Sequence, residues 1–303
     1  MGVVRQLSLG VLAVLLVMAA GATAGTRALA ADGPIVFSAR PEGVGARGWQ
    51  LLVANPDGSG LRGLTRVDGD VTPTWSPGGG QVIFERCCLP SQIWRVKADG
   101  TSARRISPGL LDFRAPARAP RGNRIAFENW SNRDKGSVDI YVMRADGRYR
   151  RRLTRARGIE EDPGWSPDAR RIVFSSERTG NYELYVMNAD GSGQRRLTST
   201  PADAEYGAAW SPDGTRIAFW RRGHGSDAIV VLTLADRSER TISPLPADDN
   251  FPAWSPDGTR IAFVNDSLDE AEIWVMQADG SNRRKLIDGP FFDPAELDWA
   301  PAR

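Results

Sequence analysis

A tryptophan-centred phrase returns six times along this chain of 303 residues. It reads Trp75-Ser-Pro, a degraded Arg118-Ala-Pro, Trp165-Ser-Pro-Asp, Trp210-Ser-Pro-Asp-Gly, Trp254-Ser-Pro-Asp-Gly and Trp299-Ala-Pro, with gaps of 43, 47, 45, 44 and 45 residues. A second phrase keeps step with it, a short apolar run that enters a turn at Asp57, Asp99, Asp146, Asp190, Asp236 and Asp279. A period in the mid-forties, carried by strand-like pieces and Gly-rich turns, is the signature of a β-propeller blade. The expected architecture is therefore all-β, a six-bladed propeller of four-stranded antiparallel blades.

The stretch from Tyr206 to Phe219 shows the grammar of one unit. A first strand ends at Trp210, and Ser-Pro-Asp-Gly then turns the chain: Pro presets φ, Asp bonds the backbone ahead and Gly accepts positive φ. Arg216 to Phe219 returns as the antiparallel partner. Third strands follow, such as Leu184 to Met187 and Ile273 to Met276, and the Ala-Asp-Gly hairpin leads into a fourth, such as Arg195 to Thr198. The chain ends split one unit. Three strands, beginning at Ile35, Leu51 and Arg62, precede the first Trp, and only a first strand, Leu297 to Trp299, follows the last full unit. The C-terminal strand is thus expected to close a ring with the N-terminal three, which removes exposed sheet edges.

Two segments carry a family resemblance. Asp249-Asn-Phe-Pro-Ala-Trp-Ser-Pro-Asp-Gly-Thr-Arg-Ile-Ala-Phe263 and Leu184-Tyr-Val-Met-Asn-Ala-Asp-Gly-Ser-Gly-Gln-Arg-Arg-Leu-Thr198 resemble the WD-like repeats of the TolB propeller family. The resemblance extends over residues 34–303 and implies a six-bladed propeller, exported to the cell envelope and acting by binding. It covers the propeller part only, because three residues, Ala31 to Gly33, separate the apolar leader from the first strand. Arg118 in place of Trp marks the third unit as atypical.

Residues 1–30 read as a signal peptide: Arg5, an apolar centre from Leu7 to Ala20, and Ala-x-Ala sites at Ala22 to Ala24 and Ala28 to Ala30. An uncleaved anchor is the alternative for a segment of this length. Residues 31–303 then form a single propeller domain. Losing Arg5 and Arg27 brings the 39 basic residues down to 37, level with the 37 acidic ones. That balance excludes a general nucleic-acid binder, which needs a basic excess to capture phosphates. The adjacent pair Cys87-Cys88 can form only a strained vicinal bridge, because a trans peptide holds the Cα atoms about 3.8 Å apart. Two reduced or separately buried thiols are the simpler reading.

Strand direction places both kinds of turn on the bottom face and the variable loops on the top, where function concentrates on repeat scaffolds. Measured back from each Trp position, Asp70, Glu160, Glu205 and Asp249 fall five residues upstream, and Asp112 and Asp293 six. These acids are expected at the mouth of the central channel, where converging carboxylates invite a cation or a basic peptide group. Scaffolding of the inter-blade loops is the structural alternative. Asp70, Glu160, Glu205 and Asp249 are the ligands to consider if calcium binds. Trp130 and Trp220, with Trp49 and Tyr182, lie in or beside top loops and could stack on a ligand.

Other signals favour plain structure. Asn188 to Ser192 resembles a calcium loop but recurs as a hairpin turn. The arginine pairs at 104–105, 151–152, 195–196 and 283–284 lie on outer strands, where charge guards an edge. The Trp series reads as packing between blades. His224 is the single histidine and cannot build a multi-histidine metal centre. Neither a Gly-x-Ser-x-Gly elbow nor a phosphate-binding loop occurs, and no catalytic residue is assigned.

The leading expectation is an exported, non-catalytic, monomeric propeller of the periplasm, cell envelope or extracellular space. It binds a cell-envelope protein or peptide through its top face and acidic channel mouth, without nucleic acid, membrane insertion or a required cofactor. Two alternatives remain open: a calcium-dependent lactonase or lyase acting on a small ester, lactone or saccharide, and a polysaccharide-binding module.

Overall fold

The computed structural model describes residues 32–41, 48–87, 90–109, 111–131, 136–223, 225–243, 248–266, 271–287 and 291–301. Residues 1–30, read from sequence as a signal peptide, lie outside the described residues, as do Cys88 and His224. The second strand of each unit is a short run ending in phenylalanine, at Phe37, Phe84, Phe127, Phe174, Phe219 and Phe263, and all six rings are fully buried. A continuous apolar run suits a strand covered on both faces, and each blade lies between two neighbours. Burying one such ring stabilises the fold by about 1.5–3 kcal/mol. The fourth strands contrast with this: Arg62–Gly63, Arg104–Arg105, Arg151–Arg152 and Arg195–Arg196 have two residues each and are mostly exposed. Short, charged edges resist pairing with another chain.

Ring closure takes the anticipated form. The C-terminal strand Phe291–Trp299 pairs antiparallel with Ile35–Pro41, setting Trp299 opposite Ile35 and Leu297 opposite Phe37. The two ends of the chain thereby complete one four-stranded sheet.

The expectation of six separate blades is corrected. Four four-stranded sheets stand as separate blades, while the strands from Phe113 to Arg196 join into one eight-stranded sheet. The cause is local. Strand Ser137–Arg144 has eight residues, and its first two, Ser137 and Val138, pair in parallel with Gly158 and Ile159 of the next inner strand. Between Asp227 and Asp248 the same approach yields a single parallel bridge.

The tryptophans pack where blades meet. Trp75, Trp165, Trp210, Trp254 and Trp299 are 4–8% exposed. Arginines of the second strands lie over four of these rings: Arg124 over Trp165 at 4.7 Å, Arg171 over Trp210 at 4.8 Å, Arg216 over Trp254 at 4.6 Å and Arg260 over Trp299 at 5.1 Å. Such contacts add cation–π attraction to apolar burial. The indoles of Trp165 and Trp254 donate to the carbonyls of Ala117 and Ala209, both at 3.1 Å. At the exceptional position, the Arg118 guanidinium instead donates to the carbonyls of Arg124 at 2.9 Å and Gly122 at 3.0 Å, tying down its own turn.

Candidate functional site at the central channel

Each innermost strand carries a bulge three residues before its Trp position. Thr72, Ala115, Asp162, Gly207, Phe251 and Glu296 occupy these places, with φ between 30° and 58°. The register shifts there, as between Val71 and Thr74 or between Tyr206 and Ala209. A bulge re-aims the strand, and these six residues line the waist of the channel around a cavity of about 170 Å³. A larger cavity of about 540 Å³, ringed by the tryptophans and the turn prolines, opens beyond it.

Four of the bulge N–H groups donate to a carboxylate of the preceding unit. Thr72 N donates to Glu296 at 3.1 Å, Ala115 N to Glu85 at 3.2 Å, Asp162 N to Glu128 at 2.8 Å and Gly207 N to Asp162 at 3.1 Å. An acidic belt thus staples one arc of the ring. Burial is the main force on its protonation: it raises Glu128 well above the usual carboxylate range, with Asp162 and Glu161 adding repulsion. Burial also lifts Glu296 to about 7, with the Glu85 charge next in weight, and Asp298 to about 6. Glu161, beside the waist, is pushed up to about 8 by burial and then by Asp162 and Glu177.

The other arc is aromatic. Tyr182 and Tyr206 lie 4.7 Å apart, Tyr206 stacks on Trp220 at 4.7 Å, and Trp220 meets Phe251 at 5.9 Å. Gly207 belongs to this arrangement for a steric reason. Its φ is +58°, and a Cβ built there would stand 2.8 Å from Trp220 Nε1, so the indole edge covers the wall at that point.

Against known proteins, the family described as TolB beta propeller domain matches residues 110–302. This chain belongs to that family. It is 30% identical over 156 residues to the Tol-Pal system protein TolB of Bordetella pertussis, covering 48% of this chain and 33% of that protein. To the TolB homolog of Chlorobium luteolum it is 31% identical over 126 residues, covering 40% of this chain and 27% of the relative. The chain therefore spans about a third of the length of these curated relatives. The crystal structure of TolB from Acinetobacter baumannii shares the fold with a TM-score of 0.78 at 23% identity, over 89% of this chain and 67% of that one.

In this TolB-family propeller the four acids five residues before the Trp positions are buried behind the channel wall, each matched by an arginine. Asp70 accepts from Arg86 at 2.6 and 2.9 Å. Glu160 accepts from Arg178 at 2.6 and 2.7 Å and from Ser176 at 2.8 Å. Glu205 takes Arg221 at 2.6 Å and Thr200 at 2.8 Å, and Asp249 takes Arg283 at 2.9 Å and Asn265 at 2.7 Å. All four carboxylates are fully buried; burial raises their pKa values, and the arginines oppose it. The partner arginines lie over third-strand aromatics in three cases, Trp94 at 4.2 Å, Tyr185 at 4.5 Å and Trp274 at 4.9 Å. Arg283, read from sequence as edge charge, is one of these partners.

Asp112 pairs with Arg114 at 2.8 Å and accepts from the Ser91 N–H at 3.0 Å. Asp293 lies within the strand Phe291–Trp299, and its side chain is outside the described residues. Trp130 donates to Glu128 at 2.5 Å under the Arg114 guanidinium at 4.4 Å. Trp220 is 7% exposed and forms part of the aromatic arc. Among the described residues no group of three or more metal-ligating side chains comes together. The loop at Asp190 is a hairpin turn whose carboxylate accepts from the N–H and hydroxyl of Ser192 at 2.9 and 2.6 Å.

Sequence reasoning missed Glu85, Glu128, Glu161, Asp162 and Glu296. Position three before the Trp was the available signal for two of them. The residue after the conserved-phase phenylalanine, Glu85 after Phe84 and Glu128 after Phe127, was the signal for two more.

Proposed function

We propose that this chain is an exported, non-catalytic TolB-family propeller, sixfold in its repeat, that binds a protein or peptide partner of the cell envelope through its top face and channel mouth. The eight-stranded sheet counts as two repeats in this reading, because its halves keep the strand order of the other sheets. The observation that carries the binding reading is the contrast in charge compensation. Asp70, Glu160, Glu205 and Asp249 are neutralised by arginines, whereas Asp162 and Glu296 line the waist with backbone and hydroxyl partners only. Burial holds their protons up, so these acids gain most by ionising when a cationic group enters, and they favour ligands of positive charge. The paired acids and their arginines then act as the frame that holds the mouth open.

The relatives named Tol-Pal system protein give the partner class its plausibility, and export follows from residues 1–30 as read above. The test is affinity capture from envelope extracts with the mature chain as bait, beside a bait carrying Glu161→Gln and Asp162→Asn. A discrete protein retained by the first and depleted on the second supports the reading. Retention of polysaccharide alone, or a calcium-dependent hydrolytic or lyase activity, overturns it.

A further inference from the structure

We propose that the channel waist is a receptor for a primary ammonium group carried next to a carbonyl acceptor, the chemistry of a peptide amino terminus or a lysine residue. This deepens the binding role proposed above and rests on it.

Three independent observations converge. The first is charge. Asp162 and Glu296 face a chamber of about 170 Å³ whose lining includes no lysine or arginine among the described residues. The side chain of Glu161, next in the chain to Asp162, makes no ion pair or hydrogen bond among the described residues, while its backbone pairs with Ser175. Further from the Trp positions, Asp70, Asp112, Glu160, Glu205 and Asp249 have each found a guanidinium, which sets the waist apart.

The second is the wall. Tyr182 and Tyr206 form a partly exposed aromatic pair 4.7 Å apart, and burial first, then the nearby Glu161, raises both phenols. A carboxylate beside aromatic faces is the arrangement that recognises an organic cation, since the ring quadrupole attracts the charge and the face accepts the methylenes.

The third is an orphan donor. Trp220 is 7% exposed, and its indole N–H has no partner among the described residues. The Nε1 edge covers Gly207, a residue of the chamber wall, at 2.8 Å from where a Cβ would stand. A buried N–H without an acceptor costs about 1–3 kcal/mol, and of the three indoles left so among the described residues, Trp75, Trp210 and Trp220, it is Trp220 that covers the waist. Thr72 Oγ1, on the opposite side of the same ring, is likewise buried and without a partner. A bare metal ion would answer the carboxylates but offer nothing to an indole N–H. An ammonium with a carbonyl close by answers both.

The experiment uses the full mature chain and three otherwise identical neutral decapeptides, followed by calorimetry and by indole ¹⁵N–¹H shifts. One has a free amino terminus and no lysine, one is acetylated with a single lysine, and one is acetylated without lysine. Binding of either ammonium peptide, with the blocked peptide at least tenfold weaker, supports the proposal, and which of the two binds identifies the source of the ammonium. Glu161→Gln and Asp162→Asn should each weaken that peptide about tenfold, and the Trp220 indole resonance should move on titration. Equal binding of the blocked peptide, or no binding of any, overturns it, whatever the variants do to folding. Should the envelope partner be captured equally by wild type and by the doubly substituted bait, the ammonium site fails while partner binding stands.

Discussion

Two sets of carboxylates, one on the innermost strands and one divided between these and the second strands, differ in what stands opposite them. The outer set, Asp70, Glu160, Glu205 and Asp249, is fully buried and faces arginines. The inner set, Glu85, Glu128, Asp162 and Glu296, accepts backbone N–H groups across the junctions between units. One chemical group therefore does two jobs within a few residues of chain. With a guanidinium it holds the blade together; without one it accepts neutral donors across the junction, burial holds its proton up, and at Asp162 and Glu296 it faces the channel. For Asp162 and Glu296 position relative to the bulge decides this, because the bulge turns the third residue before the Trp inward; Glu85 and Glu128 reach the junction from second strands.

The strongest way to break this contrast is to remove the strand that carries part of the inner set. Trp299→Ala takes away a 5% exposed ring and its donation to the Gly33 carbonyl at 2.8 Å. A loss of about 3–5 kcal/mol is expected, as for large-to-small core substitutions, measured by urea unfolding. Next come the outer acids. Asp70→Asn leaves the 17% exposed Arg86 without its counter-charge, and breaking a buried pair from one side costs about 3 kcal/mol. The same melt should show peptide binding unchanged in the fraction that remains folded, which separates frame from site.

The inner acids should respond to pH in the opposite sense to ordinary salt-bridged carboxylates. Glu161 keeps its proton to about 8 in the folded chain against an ordinary 4.5. The folded state then binds more protons than the unfolded one between those values, so stability is fullest below about pH 4.5 and falls as pH rises toward 8. Asp162, Glu177, Glu128, Tyr182 and Tyr206 are the titratable groups that interact with it. Melting temperatures across pH 4–9 should decline less steeply in Glu161→Gln than in wild type. If the two slopes coincide, Glu161 is not held protonated and the contrast between the sets weakens.

The smallest effect belongs to a third class, the exposed turn acids. Asp190 has its pKa lowered by the hydroxyl and N–H of Ser192. Asp190→Ala should therefore give the smallest change in melting temperature of the series, and calcium should not restore it.

Much of the frame was legible in the chain. The Trp phrase placed the inner strands, the incomplete ends announced the closing pair of Ile35–Pro41 with Phe291–Trp299, and the phase of the arginine pairs marked the outer edges. The joining of two units into one sheet was not legible, because it turns on two residues, Ser137 and Val138, extending a strand. The acids five residues before the Trp were found by spacing, but their arginines were not. Arg86 and Arg221 come two residues after a buried phenylalanine, Arg178 four after, and Arg283 from the outer edge. No single offset links acid to partner.

By itself the sequence determined the periodic part of this protein: strand order, turn chemistry, the inter-blade tryptophans and closure. Those features depend on local backbone preference and on apolar burial, both written along the chain at a fixed period. The tertiary structure alone decided which carboxylates meet a cation and which meet the channel. That choice depends on contacts between residues as far apart as Thr72 and Glu296, and on a bulge whose positive φ is taken by threonine, alanine, aspartate, phenylalanine and glutamate as well as glycine. No residue type announces such a position, so the inward turn that makes a site appears only when the ring is closed.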